Sequence, residues 1–317
     1  MPTTVKIRSF SPSDLTSIVA LWNRCLPKDP MTVERFWQLF LLDANFDQQG
    51  ALVAEAAGEP AGFLQAIVRR YPMGINGLES DKGWITAFFV APELRRQGIG
   101  TALFDEGMAF LHQKGRTEAC CNGYSPYYIF PGVDSEYTEA LDFLASRGCT
   151  VLAEAVAMGM KLDGAIMPDR VKERRDELHQ EGYEVRMFQI EDTLPILEFA
   201  DNCFPYWASS VLDGLQHGNL EITIATCRGK IVGLAQWENT FNDPPHGARG
   251  RFGPFGVHPD LRSKGLGSVI FYSLVERVAL KGCRYLWFGW AGGRNLSFYQ
   301  RAGCVITRQF QLFKKHL

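Results

Sequence analysis

The order of apolar and polar positions is written twice along this chain of 317 residues. In the first half, Val5 to Phe10 alternates as a strand, and Ser11, Pro12 and Asp14 then form an N-terminal cap for a helix through Leu21 and Trp22. Strand-like runs follow at Ala51 to Glu55 and Gly62 to Val68, and Trp84 to Val90 is an apolar run of strand length. From Thr101 to Gln113 the period becomes helical, with Phe104, Met108 and Leu111 on one face. The second half repeats this with Phe252 to Val257, a turn, and a helix carrying Ile270, Leu274 and Val278 on one face. Both helices are expected to stop at glycine, Gly115 and Gly282.

Identical residues support the repeat. VAPELRRQGIG (Val90 to Gly100) matches VHPDLRSKGLG (Val257 to Gly267), GEPAGF (Gly58 to Phe63) matches GKIVGL (Gly229 to Leu234), and SRGC ending at Cys149 matches RAGC ending at Cys304. The glycine-containing pairs upstream read as tight hairpins between strands. A length of 317 residues exceeds what one core organises, so two domains are expected. Between the copies, Pro168 to Gln180 is dense in charge and reads as a solvated connecting helix. The expected division is residues 1–163, a charged linker at 164–182, and residues 183–317.

Composition narrows the class. Hydrophobic residues at 46% and charged residues at 21% are ordinary for a globular protein. A net charge of -2 gives no attraction to a phosphodiester backbone, so nucleic acid is not the expected partner. The start MPTTVKIRSF lacks a secretory pattern and no apolar run approaches about 18 residues, so neither membrane association nor export is expected and the cytoplasm is. The eight cysteines have neither disulfide-framework nor zinc-site spacing, and no metal is expected.

The segment R-x-x-G-x-G occurs twice, each time between an apolar strand and an amphipathic helix: Arg95, Arg96, Gln97, Gly98, Ile99, Gly100, then Thr101; and Arg262, Ser263, Lys264, Gly265, Leu266, Gly267, then Ser268. A helix start offers backbone N–H groups to a pyrophosphate, the glycines remove side chains that would hold phosphates away, and the cations add charge. A Walker loop would need G-K-[ST], and a dinucleotide fingerprint a third glycine and a later acidic residue; both are missing.

These residues resemble the GNAT superfamily of N-acetyltransferases, whose central motif is [QR]-x-x-G-x-[GA] between the fourth strand and third helix. The resemblance covers essentially the whole chain as two tandem domains, an arrangement similar to that of mycothiol synthase. It implies an α/β (α+β) fold in which each domain has a mixed, mostly antiparallel central sheet flanked by helices. It further implies that both loops hold the pyrophosphate of acetyl-CoA or coenzyme A. The strand ends at Phe88 to Val90 and at Phe255, Gly256 and Val257 would pair with the pantetheine arm. In the second copy Asn295 would lie near the cofactor arm and Tyr299 near its sulfur, whereas the first copy has Ala140 and Leu144 there.

Amine acylation needs a neutral amine and a proton for the departing thiolate. Tyr299 suits the acid, since a phenol near pKa 10 can protonate a thiolate of pKa about 8.5. For the base, Glu238, His258 and a chain of waters are alternatives. Tyr206 and Trp207, in a loop-like CFPYW segment near Trp237, Trp287 and Trp290, are candidate walls of an acceptor pocket. The first copy carries extra residues around Tyr124 to Tyr137, expected as an irregular loop, where Tyr127 or Tyr128 could supply a different hydroxyl. The expected activity is acetyl transfer to an amine of a small molecule or peptide, catalysed by the second copy. A coenzyme-binding sensor without turnover is the alternative.

Overall fold

A computed structural model describes residues 5–73, 76–125, 129–217, 220–243 and 247–317. The chain packs as two compact units: Met1–Pro72 with Gly77–Ala155 and Phe310–Leu317, and Met73–Asn76 with Val156–Gln309.

In the first unit β1 (Val5–Ser9) leads through a 3-10 turn into α1 (Leu15–Cys25) and α2 (Val33–Phe36). The hairpin β2 (Ala51–Ala56) and β3 (Glu59–Ile67) precedes β4 (Lys82–Val90) and α3 (Ile99–Gln113). Then come β5 (Glu118–Cys121), β6 (Val133–Asp134), α4 (Thr138–Ser146) and β7 (Thr150–Lys161). The strands lie in the order β1-β2-β3-β4-β5, antiparallel except for the parallel pair β4 and β5. One sheet face packs under α3 through Leu52, Leu64, Leu103 and Leu111. The other packs under α1 and α2 through Ile18, Trp22, Phe36 and Phe63. The entry into α1 is held as its sequence requires: the Ser11 N–H donates to the Asp14 carboxylate, which Arg8 grips with its two terminal guanidinium nitrogens.

The second unit repeats this frame. After α5 (Asp169–Gln180) come β8 (Tyr183–Met187), α6 (Thr193–Cys203), α7 (Pro205–His217), β9 (Leu220–Cys227), β10 (Lys230–Asp243) and β11 (Gly247–Val257). It closes with α8 (Leu266–Leu280), β12 (Tyr285–Ala291), α9 (Arg294–Arg301) and β13 (Val305–His316). The order is β8-β9-β10-β11-β12, with β11 and β12 parallel. Arg186 and Asp192 repeat the Arg8 and Asp14 pair, with Gln189 in the place of Ser11.

Three local expectations change. The charged segment is a helix, but Val171 and Leu178 of α5 are buried in the core of the second unit, because even a strongly polar helix hides the apolar stripe that its spacing creates. CFPYW is a helix corner rather than a loop: α7 begins at Pro205, where proline loses no intrahelical bond. The Tyr124 to Tyr137 segment contains β6, which pairs with Phe310 and Gln311.

The packed units also depart from a contiguous split of the chain. On its far edge β5 pairs with residues 313–316 of β13, and β12 pairs with residues 156–161 of β7. Each copy's sheet is thus continued by the closing strand of the other copy. A strand edge is satisfied by any strand that offers matching N–H and C=O groups, so pairing does not report which copy supplied it.

Candidate functional site

The two glycine loops are the same object at the level of backbone torsions. Arg95 and Arg262 are extended (φ -66°, ψ 162° and φ -65°, ψ 160°), Arg96 and Ser263 take φ 62° and 65°, and Gly98 and Gly265 take φ 86° and 82°. A left-handed residue at Gly98 and Gly265 turns the chain into α3 and α8, whose first two N–H groups have no partner within the helix, while in α8 the third, that of Ser268, donates to the Gly265 carbonyl at 3.0 Å. Ile99 and Leu266 anchor the loops in the cores, and Gly100 and Gly267 let aromatic rings approach. A Cβ at Gly100 would lie 3.5 Å from Phe88, and one at Gly267 3.6 Å from Phe255.

Upstream of each loop the parallel strands come apart. β4 pairs with β5 only through Lys82, Gly83 and Trp84, and β11 pairs with β12 only through Arg249, Gly250 and Arg251. Beyond those points β4 and β11 are bonded on one side only, to β3 and β10, and the ladder shifts register at Thr86 and opposite Gln236. The edge over Phe88 and Val90, and over Phe255, Gly256 and Val257, is therefore left for another extended chain. Below it the wall is aromatic in both units: Phe88 with Phe104 and Phe143 at 6.2 Å and 5.5 Å, and Phe255 with Phe271 and Phe298 at 6.4 Å and 5.8 Å.

The cations differ between copies. Arg95 donates to the Val90 carbonyl and pairs with Glu139 at 3.0 Å, while Arg96, Arg262 and Lys264 have no ion pair among the described residues. Gly98 is open, with nothing within 4 Å of where a Cβ would be. Against Gly265 lies Arg174 of α5: its Cγ is 2.8 Å from that position, its Nε donates to the Lys264 carbonyl, and Glu177 and Glu181 hold its head. Nothing in the sequence pattern pointed to Arg174, because the contact joins segments ninety residues apart.

Tyr299 stands where the first unit has the buried Leu144. It is 6% exposed and its ring meets Phe252, Phe255, Phe271, Phe288 and Phe298. This burial pushes the phenol well above its ordinary pKa, so it stays protonated across physiological pH. Its hydroxyl has no hydrogen-bond partner among the described residues. Glu238 lies on β10 directly across from Arg251 of β11 and pairs with it at 2.9 Å. The His258 Nδ1 accepts from the Asp260 N–H as a cap of the turn. Asn295 is exposed near the start of α9.

Of the aromatic candidates, Trp207 stacks on Phe204 at 4.3 Å over Gly256, Trp237 is buried, and Tyr206 and Trp290 are nearly half exposed. Tyr127 and Tyr128 lie outside the described residues. Tyr124 is buried, and its hydroxyl accepts from the Asn45 amide. Sequence reasoning passed over Gln65 and Gln236, although a signal was present: each interrupts an apolar run, GFLQAI at Gly62 to Ile67 and GLAQW at Gly233 to Trp237, three positions after the strand glycine.

A splayed parallel pair running into a glycine loop at a helix start defines the class, a coenzyme A-type acyltransferase fold present twice. The chain belongs to the Acetyltransferase (GNAT) family, whose model matches residues 15–122 and 184–304. Similar solved structures include a GCN5-related glucosamine N-acetyltransferase region of a fungal multi-domain GH3 β-N-acetylglucosaminidase, with 21% identity and a TM-score of 0.83. That match takes in 99% of this chain and 38% of the other, so this chain spans well under half of that relative's length. A GCN5-related N-acetyltransferase from Sphaerobacter thermophilus is 20% identical with a TM-score of 0.70, over 98% and 95% of the two chains. A tandem GNAT protein from the clavulanic acid biosynthesis pathway is 16% identical with a TM-score of 0.66, over 99% and 98%. At these identities the likeness is one of fold. No curated protein matches the sequence. Among the described residues, no helix is long and apolar enough to cross a membrane.

Proposed function

We propose that the protein transfers an acetyl group from acetyl-CoA to an amine of a small molecule or peptide by direct attack, and that the second unit carries the chemistry. The observation that supports this most is Tyr299: the loop and splayed edge occur in both units, but only the second adds a protonated phenol to the aromatic wall beneath that edge. The residues present fit the coenzyme. The amides after Gly265, with Arg262 and Lys264, would hold the pyrophosphate, and the free backbone of Phe255 to Val257 would hold the arm. When bound, acetyl-CoA supplies the activated acyl carbonyl.

Tyr299 would give its proton to the departing thiolate and be recharged with the proton that the attacking amine loses, so the phenol ends neutral as its burial requires. Glu238 is tied to Arg251, so as a base it would have to act from within an ion pair; water is the simpler carrier of the amine proton. A second reading, a sensor that binds coenzyme without turnover, is favoured by Arg174 lying against Gly265. Thiol release from acetyl-CoA with a panel of amines tests both. Glucosamine belongs in the panel because one structural neighbour is described as acetylating it. Acetyl-CoA binding without thiol release from any amine would support the sensor.

A further inference from the structure

The least explained groups in the molecule are two glutamines. Gln65 and Gln236 are both 0% exposed, and in each the side-chain oxygen and nitrogen lack any hydrogen-bond partner among the described residues. Burying a carboxamide without partners is costly, and a methionine would fill the same space without that cost. One such glutamine is an oddity; two at equivalent positions require a common reason.

The positions are equivalent in structure as well as in sequence. Each glutamine lies on the strand that backs the splayed one, at its register shift: Gln65 pairs with Ala87 just before the extra residue Thr86, and Gln236 falls in the shift between Ala235 and Trp237. Strand alternation sets the face. Leu64 and Ala66 pack under α3 and Phe63 under α1, so Gln65 points to the α1 side. Leu234 packs under α6, and Ala235 and Trp237 under α8, so Gln236 points to the α6 and α7 side. In both units this is the face opposite the helix that follows the glycine loop. On the second of these faces lies another buried oxygen without a hydrogen-bond partner among the described residues, Ser209 Oγ on α7.

We infer that Gln65 and Gln236 are positioning residues for the acceptor, and that the acceptor is an amine with an oxygen on the adjacent carbon, as in an amino alcohol or amino sugar. This rests on the acetyl-transfer reading above. The carboxamide oxygen accepts an N–H of the amine and turns its lone pair toward the splayed edge, while the carboxamide nitrogen donates to the neighbouring oxygen. A carboxamide neither takes nor gives a proton near neutral pH, so its role is orientation and not base catalysis. Because no water-sized space adjoins either side chain, the helical layer over it yields when the acceptor enters.

The test uses Gln65→Met and Gln236→Met in the full chain, with 2-aminocyclohexanol and cyclohexylamine as probes that differ only in the neighbouring hydroxyl. Binding of each amine to the coenzyme A-loaded protein is measured by calorimetry, beside thermal melting and coenzyme A affinity. The wild type should bind the hydroxyamine about tenfold more tightly, the order of one hydrogen bond. At least one substitution should bring the two amines within about twofold, with coenzyme A affinity unchanged and with both variants melting roughly 2–4 °C higher. A lower melting temperature in either variant, an undiminished preference in both, or no measurable amine binding overturns the inference. Thiol release by the wild type reads the transfer reaction separately: its absence removes that reading, while the binding ratio still decides the role of the glutamines.

Discussion

Phe313 stands in the second sequence copy but is buried in the core of the first unit, beside Leu52, Leu64, Ala119 and Cys121. Its ladder partner is Cys121 of β5, and it is 2% exposed. Phe313→Ala removes a ring from a close-packed site, at about 3–5 kcal/mol for a buried phenylalanine. That is a large part of the roughly 5–15 kcal/mol by which a domain is stable. At 1.4 kcal/mol per tenfold, the open population of the first unit should rise roughly a hundred- to several-thousand-fold. Native-state hydrogen exchange reads this unit by unit. Amides of Leu52, Phe63 and Leu64 in β2 and β3 should lose protection in proportion, while those of Ile222, Ile224 and Leu234 in β9 and β10 keep theirs. Lost protection confined to β9 and β10, or no loss anywhere, would refute the exchange of closing strands on which the reasoning stands.

Gly265→Glu should abolish acetyl-CoA binding at the second unit, read by calorimetry as the loss of that site, since it sets charge and bulk on a left-handed residue already pressed by Arg174. If Gly98→Glu alone stops transfer in a folded protein, the chemistry belongs to the first unit. Tyr299→Phe keeps the ring among its five aromatic neighbours and removes only the hydroxyl. Turnover should fall about 10²-fold, the low end for an acid acting on a good leaving group, with acetyl-CoA affinity unchanged; an unaltered rate when chemistry is limiting would leave Tyr299 a packing residue. The hydrogen bonds from Arg8 and Arg186 hold the Asp14 and Asp192 carboxyls below the usual range. The unfolded chain therefore takes up protons first as pH falls, so this stabilisation is present above about pH 4 and is lost as pH drops through the folded-state values. Asp14→Asn and Asp192→Asn should each lower the melting temperature at pH 7 and flatten its decline in acid; a slope identical to that of the wild type would show that the pairs do not drive it.

The local code was legible because it is short-range. The strand, glycine and helix pattern at Val90 to Gly100 and Val257 to Gly267 specifies its torsions within a dozen residues, and the two loops agree closely in torsion. The hairpin glycines, the helix stops at Gly115 and Gly282 and the capping aspartate at Asp14 are likewise decided by conformational freedom and hydrogen bonds to near neighbours. What only the tertiary structure decided involves partners far apart in the chain. Arg174 meets Lys264, residues 313–316 extend the sheet of the first unit, Tyr299 sits among phenylalanines from three other elements, and Glu238 is bound by Arg251. Backbone edges and apolar faces accept any complementary surface, so composition and spacing cannot say which strand or helix arrives. The two glutamines stand between these cases: their repetition was visible in the sequence, but their lack of partners became evident only when every surrounding atom was in place.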